Sequence, residues 1–403
     1  ENRAGSICFF PEGVKSTDGT LLPAKGGVAY LAHRTNTTIV PVALSGHFGM
    51  KKSDFFLRRR RVGIMFGEPL HAKDLFLNRQ YDIHEYKIIA RDIMDHVREL
   101  HGLSHSLTER DQDFTYSHEV FGNEYTHSDF RSRILDIFFI PFLNLIPSYG
   151  RHIAKRTHPS ARNVIEHKTS YRALEILYSG GVVSQEENFL QKIFRLFWFN
   201  TKNVKAVRNR LNFVRHTMKV EILNRLERKK DIHVLSIASG SARAILESIS
   251  EIELPENSSV SITFLDKSEN AIRYSKELAD SMTLHPGFTL KWVVDTASNF
   301  PVHMAESPDI VEMVGLLDYF RYRKARKIFS LIFENLPEGG KFITANIVDN
   351  EERRFITNLV GLKMIYRDPH ELAHLALRSG FQREKIMVIR EPLNIHTILI
   401  AEK

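Results

Sequence analysis

The 403-residue chain has one cysteine, Cys8, and two tryptophans. A lone cysteine excludes a disulfide framework and any cysteine-based zinc site, and it fits a reducing, cytoplasmic compartment. Long apolar runs are also missing. The longest covers about 14 residues, Ile134 to Pro147, and is broken by Asp136 and Asn144. An ordinary membrane helix needs about 20. No signal peptide is legible at the start, where Glu1-Asn2-Arg3 leads into Ser6-Ile-Cys-Phe-Phe10. There is no internal repeat and no Pro/Gly/Ser-rich linker. With 43% hydrophobic and 26% charged residues, the composition is that of packed domains, two or three at this length.

The net charge of +8 is regional: residues 1–111 carry +3, 112–231 carry +8 and 232–403 carry −3. Within the middle block, 151–230 holds 18 basic against 6 acidic residues. Such a segment can meet phosphate, an anionic lipid surface or an acidic cofactor, or be a solvated helix face. Its basic residues lie among large apolar ones on helices, so nucleic acid is not the expected partner.

Three textures divide the chain into 1–111, 112–230 and 231–403. The first begins strand, turn, helix, strand: Ser6–Phe10, the turn at Asp18-Gly19, a helix over Gly27–His33 and a β-branched strand over Thr38–Leu44. A strand over Val62–Phe66 and a helix over Tyr86–Leu100 follow. The second is helical throughout, with apolar spacings of three and four in Ile134–Ile146, Ser170–Tyr178, Glu186–Phe199 and Val204–Leu226. The third alternates strands and helices, which implies a parallel sheet with right-handed crossovers. Its last two strands, near 384–390 and 395–401, read as an antiparallel pair at the sheet edge.

In the third block the strand His233–Ala238 runs into Ser239-Gly240-Ser241-Ala242 and then a helix. Small residues admit a ligand close to the backbone, and a helix start offers free N–H groups. The strand ending in Asp266 follows about 26 residues on, where a carboxylate can grip a ribose diol. Asp295 ends the next strand, the fourth opens at Gly315-Leu-Leu-Asp-Tyr319, and Pro337-Glu-Gly-Gly340 precedes the fifth. In this order and spacing, residues 200–403 resemble the class I S-adenosylmethionine-dependent methyltransferases. The resemblance implies a Rossmann-like sheet with a helical cap. It places Ser236, Ala238, Ser239, Gly240, Ser241, Ala242 and Arg243 at the cofactor loop, Asp266 and Lys267 at the ribose, Asp295 and Thr296 by the adenine, and Gly315 at the mouth. The family's usual loop has an acid before it and two or three glycines; here Ser236 stands for the acid and one glycine remains. A dinucleotide site fits less well, because the three spaced glycines are missing.

Methyl transfer asks mainly for in-line alignment, and a base helps only a hydroxyl or amine acceptor. Asp318, Tyr319 and His374 are the candidates to line the acceptor pocket. On the helix through Val204, Val207, Leu211 and Val214, Arg208 and Arg215 share a face. They are either solvated or cap the cofactor site, with an arginine, Arg208 as the candidate, meeting a carboxylate of cofactor or acceptor. Phe138, Phe139, Phe142, Phe189, Phe194, Phe197, Trp198 and Phe199 form either core or the roof of an apolar acceptor pocket.

At the other end, Phe9-Phe10-Pro11-Glu12-Gly13-Val-Lys15-Ser16, then Leu22-Pro23-Ala-Lys25-Gly26-Gly27 and Ile39-Val40-Pro41-Val42, resembles the second half of the glycerophosphate acyltransferases over residues 6–70. The resemblance implies that Glu12, Gly13, Lys15 and Ser16 hold polar substrate, with lysine in place of the family's arginine. The family's catalytic histidine carries an aspartate five residues on, and none of the 19 histidines here does. The expectation is therefore a partial acyltransferase domain, from a longer protein or a degenerate fusion, that does not acylate by itself. Arg58–Arg61 could touch anionic lipid. The reading as a whole is an α/β chain that methylates a lipid or acyl-type acceptor with S-adenosylmethionine, soluble or peripheral to a membrane. Its rivals are a lysophospholipid acyltransferase with an auxiliary C-terminal domain, and a binding module that holds no cofactor.

Overall fold

In the computed structural model the described residues are 6–14, 16, 21–51, 62–76, 81–108, 125–128, 139–147, 150–157, 159–179, 189, 192 and 198–403. The chain divides into two compact units, Glu1–Asp113 and Phe114–Lys403. Among the described residues no helix is long and apolar enough to cross a membrane.

The first unit contains α1 (Gly27–Thr35), β1 (Val42–Ser45), β2 (Gly63–Phe66) and α2 (Ile83–Thr108). β1 and β2 pair antiparallel. Its core is small: Ala29, Ala32, Phe76, Tyr86, Ala90 and Ile93. Residues 6–10, expected as a strand, join no ladder, and Phe10 is 69% exposed. An apolar run without a paired neighbour has no hydrogen-bond reason to be a strand. The expected strand at Thr38–Leu44 starts later, with a single bridge from Ile39 to Leu70 ahead of it. Lys15 and Arg58–Arg61 lie outside the described residues, as do most of 186–197.

In the second unit, α3 (Gly150–Thr157), α4 (Pro159–Glu166), α5 (Tyr171–Tyr178) and α6 (Lys202–Leu226) precede the sheet. Then come β3 (Asp231–Ile237), α7 (Arg243–Ser250), β4 (Ser259–Asp266), α8 (Glu269–Asp280), β5 (Phe288–Val294), β6 (Ile310–Val314), α9 (Tyr322–Asn335), β7 (Lys341–Ile347), α10 (Pro369–Leu377), β8 (Ile386–Arg390) and β9 (His396–Glu402). The sheet order is β5-β4-β3-β6-β7-β9-β8. The five strands β5, β4, β3, β6 and β7 are parallel, and β9 runs antiparallel to both β7 and β8. This is a Rossmann-like sheet, with the order reversing at β3. The expected terminal antiparallel pair is present, with β8 at the edge.

Period two along the strands splits the core. Leu235 and Ile237 face Phe329, Phe342 and Leu372. Ile232 and Val234 face Val214, Met218, Ile245 and Leu246 on the other side. The periodicity of α6 was misleading. Its buried positions include Asn203, Lys205, Asn209, Arg210, Thr217 and Glu221, while Val207 and Leu211 are only half-buried. The helix turns a polar seam inward because partners wait there: Asn209 bonds Thr126 and the Glu391 carboxylate.

One buried cation closes the loops above β6 and β7. Arg367 donates to Leu317 O at 3.1 Å, to Asn346 Oδ1 at 2.6 Å and to Phe320 O. Removing it strands several buried acceptors. Arg367→Met is expected to cost about 3 kcal/mol in urea unfolding; a loss under about 1 kcal/mol would show that the loop holds itself.

Candidate functional site

The loop between β3 and α7 is bent by three left-handed residues: Ala238 (φ 55°), Gly240 (φ 56°) and Ala242 (φ 55°). The two alanines each accept about 1 kcal/mol of strain, which persists only where the surroundings over-determine the backbone. What holds it is Asp266, 9% exposed at the end of β4. Its carboxylate accepts from Gly240 N at 3.0 Å and Ser268 N at 2.8 Å. Ser268 in turn caps α8. The Ser239 hydroxyl is buried without a hydrogen-bond partner among the described residues. Ser241 is buried beside it, and Lys267 is exposed.

Ser236 is also buried, and its hydroxyl donates to the Glu312 carboxylate at 2.6 Å. The two residues are register partners on β3 and β6. An acid thus stands one strand across from Ser236. Burial pushes the Glu312 carboxyl up to about 7, against the pull of Ser236, Val314 N and Arg210.

Arg210, 5% exposed on α6, is the charge at the centre of this end of the sheet. Its guanidinium lies 3.8 Å from the Asp318 carboxylate and 3.4 Å from His396 Nε2. It also stands 3.8 Å from where a Cβ on Gly315 would sit. The sequence does not distinguish Arg210 from its basic neighbours; its signal is the buried seam of α6, which hydropathy does not reveal. Burial holds His396 well below the usual histidine range, aided by Arg210.

The structure separates the remaining expected residues. Arg208 does not face the loop: it donates to Leu177 O at 3.3 Å and Phe199 O at 3.0 Å, tying α5 to α6. Arg215 meets Glu247 and Glu251 on α7. Arg243 turns to the cap and forks onto Glu175, with Glu247 as a second partner at 2.9 Å. Glu175 also accepts from Tyr274 Oη at 2.9 Å. Asp318 is buried, accepts from Ile347 N at 2.9 Å and holds a loop in place. Tyr319 is 40% exposed, its hydroxyl pushed up to about 12 by burial and by Asp318. Asp295 is occupied with its own turn, accepting from Thr296 N, Asn299 Nδ2 and His303 Nε2. His374 sits in the last turn of α10, which packs on α9, β8 and β9. Trp198 and Phe199 are core, whereas Phe139 and Phe142 are exposed. A cavity of about 440 Å³ lies between α5 and α8, lined by Tyr171, Arg172, Arg273 and Tyr274. Tyr171 also covers Gly240, 3.6 Å from a Cβ built there.

In the first unit the Phe-Pro-Glu-Gly turn is formed: Gly13 N donates to Phe10 O, and Glu12 accepts from Leu22 N at 2.6 Å. Ser16 is half-buried. Lys25, not singled out from the sequence, folds over the turn, with its Nζ 3.2 Å from a Cβ built on Gly13.

Comparison with known proteins follows the same division. Residues 2–45 match the Acyltransferase family model. The 1-acyl-sn-glycerol-3-phosphate acyltransferase of Limnanthes alba is 34% identical over 89 residues, 22% of this chain and 31% of that protein. The enzyme of the same name from Cocos nucifera is 34% identical over 70 residues, 17% of this chain and 23% of its own. The chain therefore spans less than a third of the curated relatives it matches. Among solved structures, one titled a possible exported protein from Bordetella parapertussis aligns over 66% of this chain and 95% of its own, with TM-score 0.49 and 14% identity. The magnesium protoporphyrin IX methyltransferase of Synechocystis PCC 6803, with bound S-adenosylhomocysteine, covers 60% of this chain and 97% of its own, at TM-score 0.41 and 12% identity. At such values nothing about activity follows.

Glu312 supplies a pH test. Its folded value lies above the ordinary carboxylate range, so its neutral form favours the fold. That contribution is full at low pH, declines as pH rises and is gone above about 7. Glu312→Gln is expected to gain stability relative to the native chain between about pH 4.5 and pH 8, by up to about 3 kcal/mol. Equal urea midpoint differences at both pH values would sink the assignment.

Proposed function

We propose that the second unit binds S-adenosylmethionine over the loop between β3 and α7 and transfers its methyl group to a lipid or acyl-type acceptor. The observation that carries the reading is the loop itself. Three left-handed residues at the reversal point of a doubly wound sheet face an acid at the end of the neighbouring strand. Ligands of such sheets bind in that crevice.

The residues fit the cofactor. Ser239 brings an unpartnered buried hydroxyl, and the Asp266 carboxylate can exchange the Gly240 amide for a ribose diol. Glu312, in register with Ser236, is the carboxylate available to an ammonium group. When bound, the cofactor supplies an electrophilic methyl group on a sulfonium. The protein's part is to align and to exclude water. Tyr319, protonated at neutral pH, can donate a hydrogen bond to an acceptor oxygen but is no base there. A carboxylate acceptor needs none. The acyltransferase-like stretch at 2–45 favours a lipid or acyl acceptor.

A second reading rests on the formed Phe-Pro-Glu-Gly turn with Lys25 over it. This is phosphate-headgroup binding by the first unit, as part of a lysophospholipid acyltransferase longer than this chain.

Calorimetric titration with S-adenosylmethionine and S-adenosylhomocysteine is expected to show one site per chain. Asp266→Ala should weaken it by about 1–3 kcal/mol. A folded chain that gives no heat at millimolar ligand would rule the proposal out.

A further inference from the structure

The apolar strip 139–147 has two faces with a period of three. Ile140 is buried, and Leu143 and Ile146 turn inward against a core that includes Val164, Ile165 and Trp198. Phe139, Phe142 and Leu145 turn outward and are 52%, 67% and 75% exposed. Tight turns fix this arrangement, with Leu145 N donating to Phe142 O and Ile146 N to Leu143 O. The strip is anchored to the sheet's own chain: Asn144 Nδ2 donates to Glu351 O, its Oδ1 accepts from Phe355 N, and Asn358 Nδ2 donates to Ile146 O. Phe142 and Leu145 are therefore held out from a rigid base. Water does not favour that.

Cations gather beside the strip. Arg151 donates to Asn358 O at 2.9 Å, the residue whose amide holds Ile146. A Cβ built on Gly361 would lie 2.6 Å from Arg151 Cζ and 2.7 Å from Lys168 Nζ, so the two charges converge on one point. Lys155 and Lys363 add to the same field. Burial first, and then Arg151, Lys155 and Lys363, lower the Lys168 ammonium below its ordinary range. Among the described residues no carboxylate pairs with Arg151, Lys168 or Lys363. Lys155 has Glu166 at 3.5 Å, a partly exposed pair. Converging like charges are costly unless an anion completes them.

We infer that the outward face of 139–147 and the cations at Gly361 form a docking surface for an anionic phospholipid bilayer. The aromatic and leucine side chains enter the acyl boundary while the cations meet lipid phosphates. The two parts need each other, since neither one apolar insertion nor a few charges anchors a protein stably. This surface is distinct from the cofactor loop, and the inference does not depend on what that loop binds. It also differs from the expected lipid contact at Arg58–Arg61.

The test is co-sedimentation of the full chain with vesicles of phosphatidylcholine alone, or with about 30% phosphatidic acid added. Binding is expected on the anionic vesicles and should fall with salt. Phe142→Ser with Leu145→Ser, and separately Lys168→Glu, should each weaken it about tenfold with no fall in melting temperature. Phe142→Trp should show a blue-shifted emission on the anionic vesicles. The proposal is overturned if these variants bind like the native chain, or if the tryptophan emission does not move. It is equally overturned if serines at Arg58–Arg61 abolish binding by themselves, or if millimolar inorganic phosphate alone displaces the vesicles completely.

Discussion

One carboxylate organises the end of the sheet. Asp266 terminates β4 and takes the amides of Gly240 and Ser268. It thereby fixes the loop after β3 to the start of α8. It acts together with the backbone bonds from Ser239 N to Leu265 O and from Ala242 N to Ser239 O, and these ties keep two alanines in the left-handed conformation. The same bond leaves the loop ready for a ligand, because the acid that braces it is also the group a ribose diol would claim. Bracing and binding thus compete for one pair of oxygens, and an occupied site would release the Gly240 amide.

Around this point the polar groups are buried and mutually dependent. Arg210 faces Asp318 and His396 while Glu312 answers Ser236. Pairs of this kind add little net stability, but removing one partner leaves an uncompensated charge. Such an arrangement gives the mouth of the site a defined shape. Arg243 and Glu175 do the same for the cap, joining α5 to α7 through a fork that also takes the Tyr274 hydroxyl. The cap is therefore an integral wall of this unit.

Much of the sheet was legible because alternating apolar strands and amphipathic helices carry strong periods. Even β8 and β9 were readable as an antiparallel pair. The roles of single charged residues were not. Arg208 and Arg215 lie within two helix turns of Arg210, and only three-dimensional burial distinguishes them. Asp318 and His374 stand out by residue type, yet one is a buried loop tie and the other sits in the last turn of α10. Glu312 is hard to find in the sequence because the loop motif directs attention to its own strand, whereas Glu312 is the register partner across the ladder. The apolar strip at 139–147 was visible as a run, but its three-residue alternation of inward and outward side chains depends on turns that sequence periodicity does not encode.

Hydrogen exchange resolved by peptide, with and without S-adenosylhomocysteine, addresses the loop most directly. The account predicts that ligand protects the peptides covering 236–243 and 312–318 and leaves those covering 386–402 unchanged. Equal exchange of the 236–243 peptide with and without saturating ligand would contradict the placement of the cofactor site over this loop.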